Sequence, residues 1–385
     1  MDSAEKILED TFRRVENLKI QGYSLPFISD NDCAVAAELI SRNPRNRAAV
    51  RLVLACTLAK IHDPKRDIRK PYTEIGDPDC FSGRSYDEKY LGTFLRKYRL
   101  PINDTTAFLT PALRNRNTTL TSDTNLVGNP PIVYHAALKL LNSVYEGIIT
   151  ADNLLAEIFR CLILLRDENE QRLSLLLKSV QDASQGEIPL SSEEIVTLLE
   201  QHLESPNTSR LPVLVFAAAY EAVNSFFPEK IHTLESHNAA DKQTGSVGDV
   251  EITLVNDTNI ITGYEMKTRR VTIADIDIAI QKILQHEQIQ NYVFITTENI
   301  DKSVREYAKS LYEKIGGKEI MVLDCISFIR HFLHFFHRYR ANFVEIYQRL
   351  LLAEPDSAVG QPLKETWLAL RHAAELRSEL TEGEL

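Results

Sequence analysis

Cysteine is scarce in this chain and poorly placed for chemistry. The five residues, Cys33, Cys56, Cys80, Cys161 and Cys325, are far apart, odd in number and form no CxxC pair. That spacing argues against a zinc site and against a secreted disulfide framework. Long apolar runs are missing too: no stretch approaches the ~20 residues a membrane span needs. The opening segment, MDSAEKILEDTFRRVENLKI, is charged and amphipathic and has no apolar run of the signal-peptide kind. A cytoplasmic protein is expected. Internal repeats and low-complexity tracts are also absent. Positive charge is short overall. The formal net charge is −10, which at first sight counts against a DNA binder, because phosphate contacts need cations. Distribution qualifies the total. From Lys60 to Leu120, twelve Lys and Arg face eight Asp and Glu, either a basic patch or ordinary surface scatter. An acidic total also suits an enzyme that holds metal and does not grip all DNA tightly.

What is present is an ordinary globular balance. The chain has 385 residues, 44% of them hydrophobic and 25% charged, enough for two or three structural units with a sizeable core. Residues 1–20 place Ile7, Leu8, Phe12, Val15 and Leu18 at helical spacing. Residues 31–62 read as two more helices. Residues 63–131 are rich in Pro, Asp, Asn, Thr and Arg and too long for a structureless linker, so an ordered, loop-rich recognition segment is expected. Helices resume over 132–204, the last with a capping-box start at Ser192 and Glu194. After ESPNTSR (204–210) the pattern changes. A helix over 211–227, with Pro212 in its first turn, precedes two strands, VEITLV (250–255) and NIITGYEMKT (259–268), joined as a hairpin. Then come a helix (273–286), a strand (291–297), a helix (304–316) ended by Gly316-Gly317, and a strand (319–325). One long helix is expected from Ile326 toward Glu354, then a charged tail from about 372. The expected fold is mixed α/β (α+β) in the C-terminal half, with a mostly helical N-terminal half. The expected divisions are 1–205, 206–330 and 331–385.

One stretch carries chemistry: SVGDVEITLVNDTNIITGYEMKTRR. In a strand, residues i and i+2 face the same way, so Glu265 and Lys267 project together and Met266 points to the other face. The hairpin returns Asp249 toward Glu265. Two carboxylates and an ammonium then share one face at one end of a sheet. Such oxygens suit magnesium, a hard cation. Asp249 and Glu265 supply carboxylates, and the Met266 carbonyl a third ligand. The metal polarises the scissile phosphate and acidifies bound water. Lys267 orients or deprotonates that water, or stabilises developing charge. Glu251 shares the face of Asp249 and can serve a second metal position. Gly248 permits close backbone approach. The bland alternative is a strand edge with a solvated Glu-x-Lys pair worth ~0–1 kcal/mol.

Asp249 followed by Glu265-Met266-Lys267 across a hairpin resembles the PD-(D/E)XK nuclease superfamily over about residues 211–325. The resemblance implies that Asp249 and Glu265 hold metal and that Lys267 acts at the water. Gly248 stands where that family usually has proline. Family members often add an acid from the preceding helix, and Glu221 in AAAYEAV matches. More widely, the helical half, the segment DPKRDIRKPY…GRSYDEKY…PINDTTAFLTPALRN and then GDVEI…EMKTR are similar to type II restriction endonucleases of the SacI family. That resemblance implies magnesium-dependent cleavage of double-stranded DNA at a short site.

The central segment is the expected DNA reader. Arg and Lys reach guanine edges, and Asn pairs with adenine. Arg84, Lys89, Asn103, Arg114, Asn115 and Arg116 are the candidates; the alternative is a surface loop held by turn chemistry. Arg269, with Arg270, contacts phosphate or caps the next helix. His331, His334 and His337 share a helix face but lack a fourth ligand. His232 and His237 flank the nuclease core, as structural or phosphate-adjacent groups. A palindromic site calls for a two-fold homodimer, with Phe332, Phe335, Phe336 and Tyr339 as a dimer element or as intradomain packing. Two other functions stay open: a nuclease of repair or modified DNA, and a silent nuclease fold used for binding or assembly.

Overall fold

The structure is a computed structural model. It describes residues 3–23, 25–41, 47–103, 105–114, 116–183, 189–232, 247–257, 259–286 and 288–382, with side chains through 376. The chain divides into two units, Met1–Gln171 and Arg172–Leu385. The boundary expected at 205/206 falls inside the second unit.

The first unit is helical and packs around one helix that is buried on every side. Helices α1 (Ala4–Ile20) and α2 (Asp30–Ser41) precede α3 (Ala48–His62). Every residue of α3 from Ala48 to Ala59 is buried, as expected of a helix hydrophobic all round. Residues 63–131 wrap onto it and are less loop-like than their composition suggests. A helix α4 (Gly83–Tyr86), a π turn (Asp87–Leu91) and a helix α5 (Gly92–Lys97) run on as one stretch. Ile68, Tyr72, Phe81, Leu91, Phe94 and Phe108 of this segment enter the same core as α3. Helices α6 (Pro131–Tyr145) and α7 (Ala151–Ala183) follow.

The second unit begins within α7 and continues through α8 (Ser192–Leu203) and α9 (Leu211–Val223). The capping box of α8 is set by Ser191, one residue before the expected Ser192, paired with Glu194. Strands β1 (Glu229–Ile231), β2 (Val250–Leu254) and β3 (Ile260–Lys267) follow. The three-residue β1 did not show as a periodic segment. Helix α10 (Ile273–Gln285), strand β4 (Asn291–Thr296), helix α11 (Lys302–Leu311) and strand β5 (Glu319–Asp324) complete the α/β part. The sheet order is β1-β2-β3-β4-β5. β1, β2 and β3 pair antiparallel, and β3, β4 and β5 pair parallel.

Period-2 alternation sorts the sheet into two faces. Val250, Ile252, Met266, Val293 and Ile295 pack with α8 and α9 and the C-terminal helices. Tyr292, Phe294, Ile320 and Val322 pack with Ile276, Ala279 and Ile283 of α10 and Val304, Ala308 and Leu311 of α11. The single long helix expected after Ile326 is two: α12 (Cys325–Phe335) and α13 (Arg340–Ala353), with a 3-10 turn at His337–Tyr339 between them. Helix α14 (Gln361–Glu382) runs into the segment expected as a charged tail from about 372, and ahead of that segment its Trp367 and Leu368 are buried in the core.

Candidate active site

The hairpin register decides whether the two acids meet. Val250 pairs with Tyr264 and Glu251 with Gly263. Extending that register one step puts Asp249 opposite Glu265, on the same face. A direct contact ties the two strands here: Asp249 Oδ2 accepts the Met266 backbone N–H at 2.7 Å. In extended chain, a residue's N–H and C=O point to the same side. The Met266 carbonyl therefore also points toward the strand edge where Asp249 sits. Gly248 has a steric reason to lack a side chain. A Cβ there would lie 2.6 Å from the Tyr264 carbonyl oxygen and 3.2 Å from its nitrogen. The strands approach backbone to backbone beside Asp249.

Glu265 is the most heavily engaged group of the face. Lys267 Nζ donates to Oε1 at 2.6 Å. Lys282 Nζ, from α10, donates to Oε2 at 3.1 Å, and the Tyr292 hydroxyl of β4 makes a short hydrogen bond to the same oxygen. Burial pushes the Glu265 carboxyl up. The Lys267 and Tyr292 hydrogen bonds and the charges of Lys282 and Lys267 outweigh burial and hold it below the usual value. Glu265 is an anion at neutral pH with positive charge on two sides.

Glu251, expected at a second metal position, shares this face but is buried and faces inward. Its Oε1 accepts the Val247 N–H at 2.6 Å, and its Oε2 lies 3.9 Å from His232 Nδ1. Its observed work is to fix the loop that carries Gly248 and Asp249. The Val247 carbonyl is held as well, by the Tyr292 hydroxyl at 3.0 Å and Lys282 Nζ at 3.3 Å.

Glu221 reaches the site's surroundings from another element, α9. It pairs with Arg349 of α13, and its helix packs against the opposite face of the sheet, where Phe216 and Tyr220 meet Tyr264. It lines a groove with Tyr220, Glu229 and His232. Arg269 forks onto Asp275 of α10 with bonds of 2.8 and 2.7 Å, and Arg270 lies 3.6 Å from Asp301. The helix-capping alternative is the one the geometry of Arg269 displays.

The central-segment candidates lie in the first unit. Arg84 is exposed and pairs with Glu88 at 2.7 Å. Lys89 is exposed beside the Tyr90 ring. Asn103 bonds the Thr105 carbonyl at 3.2 Å, and its side-chain oxygen is buried. Arg114 and Arg116 reach the Leu109 and Ala112 carbonyls. Asn115 and His237 lie outside the described residues. His331 packs tilted and His334 edge-on against the Phe335 ring. Among the described residues no group of three His, Cys, Asp or Glu is arranged to hold a metal ion. Phe332 is buried and Phe336 and Tyr339 pack on the core, while Phe335 is exposed.

Sequence reasoning missed Lys282 and Tyr292. Lys282 lies six residues after Ile276 and three after Ala279, on the flank of the buried stripe of α10. Tyr292 is a fully buried tyrosine opening an apolar strand, and a buried hydroxyl needs a partner.

A comparison with known families supports a class, a restriction-type nuclease. Residues 187–298 match the family described as SacI restriction endonuclease C-terminal domain, so the chain is SacI-like from α8 to β4. That stretch contains Asp249, Glu265, Lys267, Lys282 and Tyr292. A restriction endonuclease domain implies DNA binding. No curated protein matches the chain. No helix among the described residues is long and apolar enough to cross a membrane.

Proposed function

We propose that the protein is a type II restriction endonuclease with a PD-(D/E)XK core, hydrolysing phosphodiester bonds of double-stranded DNA at a short palindromic sequence with Mg²⁺. One observation carries this reading. Asp249 accepts the Met266 N–H and Lys267 bonds Glu265 on the neighbouring positions of the same hairpin, inside the stretch that is SacI-like. The residues present fit the metal by the chemistry of their donors. The hairpin register, carried one step past Val250, sets the two carboxylates at cross-strand positions, with the Met266 carbonyl on the side of Asp249. Mg²⁺ keeps several waters and takes only one or two protein carboxylates in many sites, so a third acidic side chain is not required. Asp249, Glu265 and the Met266 carbonyl would hold it. When bound, the ion polarises a phosphate oxygen and lowers the pKa of a water.

The remaining steps belong to the protein. Tyr292, Lys282 and Glu251 clamp the Val247 backbone and so fix the approach of Asp249. Lys267, held by Glu265, positions the attacking water or stabilises charge on the phosphorane. Sequence reading falls to the 63–131 segment, with Arg84, Lys89, Asn103, Arg114, Asn115 and Arg116 as its contacts, and Arg269 as a phosphate contact once released from Asp275. A two-fold dimer would match a palindrome.

The test is a digest of several unmethylated DNAs with Mg²⁺, followed by sequencing of fragment ends. Discrete fragments with one shared palindrome at their ends are expected. Random cleavage, or cleavage restricted to methylated DNA, would overturn the site-specific reading in favour of a repair or modified-DNA nuclease.

A further inference from the structure

We infer that Lys282 is the counter-charge of the metal site: its bond to Glu265 Oε2 gives way when a divalent cation binds, and its charge lowers the affinity for that cation. The inference rests on the nuclease reading above. Its own support is geometric. Glu265 has two oxygens, and each has an ammonium: Lys267 on Oε1 at 2.6 Å and Lys282 on Oε2 at 3.1 Å. Lys267 comes from the same strand, two residues away, and moves with Glu265. Lys282 comes from a different element, α10, which packs on the sheet through Ile276, Ala279 and Ile283. Its ammonium also lies 3.3 Å from the Val247 carbonyl, at the root of the loop bearing Asp249. It therefore stands between the two carrier segments of the candidate acids, where positive charge is wanted.

A half-buried carboxylate without a counter-charge is costly. A lysine that supplies that charge protects the folded state while the metal is absent. The same ammonium repels an incoming dication, so it sets the affinity lower than two carboxylates alone would give. Val247 offers a second acceptor, so the displaced ammonium keeps a hydrogen bond and stays within reach of the site. Lys282 is in these terms a positioning residue, acting on substrate only through Glu265 and the loop.

The experiment is Mn²⁺ binding to the full chain by isothermal titration calorimetry, without DNA, for the wild type, Lys282→Met, Lys282→Gln and Lys282→Arg. Circular dichroism checks folding, and Gln, which can still donate to the Val247 carbonyl, serves if Met does not fold. The neutral variants should bind Mn²⁺ about 10-fold or more tightly than the wild type, as expected from removing one like charge. Arg, which keeps the charge, should restore the weaker wild-type affinity. A purely structural lysine would give the opposite pattern, with Met and Gln binding equally or more weakly; that result overturns the inference and leaves the nuclease reading standing. Failure of the wild type itself to bind Mn²⁺ would overturn both.

Discussion

Gly248 shows how much of the site depends on a single missing atom group. Adding a Cβ places it 2.6 Å from a backbone oxygen that cannot swing aside. Gly248→Ala should therefore destabilise the second unit by ~1–3 kcal/mol, read as a lowered urea midpoint. It should also cut DNA cleavage by about 100-fold by moving Asp249 from its place against Met266. Unchanged cleavage would mean that the Asp249 position is not set by this contact. The hairpin positions of Asp249, Glu265 and Lys267 were legible in the sequence because strand period and hairpin spacing are local rules. Glu251 was legible as a carboxylate on the right face, but not as a group that bonds Val247. Glu221 and Arg269 depend on α13 and α10, which no local rule places. Lys282 and Tyr292 were invisible for the same reason: each reaches Glu265 from another element.

At the scale of elements, the 83–97 stretch teaches the most. GRSYDEKYLGTFLRK reads as polar and glycine-broken, yet it is helical through a π turn. The cause is Asp87, fully buried, which binds Arg51 of α3 at 2.6 Å and accepts from the Thr106 hydroxyl at 2.6 Å and the Ala107 N–H at 2.7 Å. One carboxylate joins the π turn to α3 and to Thr106–Ala107, and its partner Arg51 lies 36 residues away. Asp87→Ala should cost ~3–5 kcal/mol, because it leaves Arg51 buried without its counter-charge. Glu88→Ala, next door, removes only the exposed partner of Arg84 and should cost ~0–1 kcal/mol. Chemical denaturation of both variants makes the comparison; equal costs would contradict the assigned role of Asp87. The other missed elements have plain reasons. β1 is a three-residue edge strand, too short for a period, and the break at His337–Tyr339 falls in a sequence with no glycine or proline.

At the scale of the whole molecule, the second unit carries a pH liability in its core. His202 is fully buried, with Nε2 3.0 Å from the Leu363 carbonyl and Nδ1 2.9 Å from the Tyr347 hydroxyl. Nε2 therefore carries the proton, and Nδ1 accepts from tyrosine. Burial pulls its pKa from the ordinary 6.5 down to about 4. Above pH 6.5 the imidazole is neutral in both folded and unfolded chains. As pH falls from 6.5 toward 4, the unfolded chain takes up a proton that the folded one refuses, so stability drops by up to ~3 kcal/mol and then levels off. Thermal melts from pH 8 to pH 4 should show this loss for the wild type and a shallower one for His202→Gln. Equal slopes would assign the acid sensitivity to other groups.

We propose Asp249, Glu265 and Lys267 as one metal-dependent cleavage centre. Its most direct measurement is the rate of phosphodiester cleavage of unmethylated phage DNA, with Mg²⁺ and with excess EDTA, for the wild type and for folded Asp249→Ala and Lys267→Ala. Cleavage by the wild type that stops with EDTA and falls at least ~100-fold in both variants is the result expected. Mg²⁺-dependent cleavage that persists unchanged in Asp249→Ala and Lys267→Ala would contradict it.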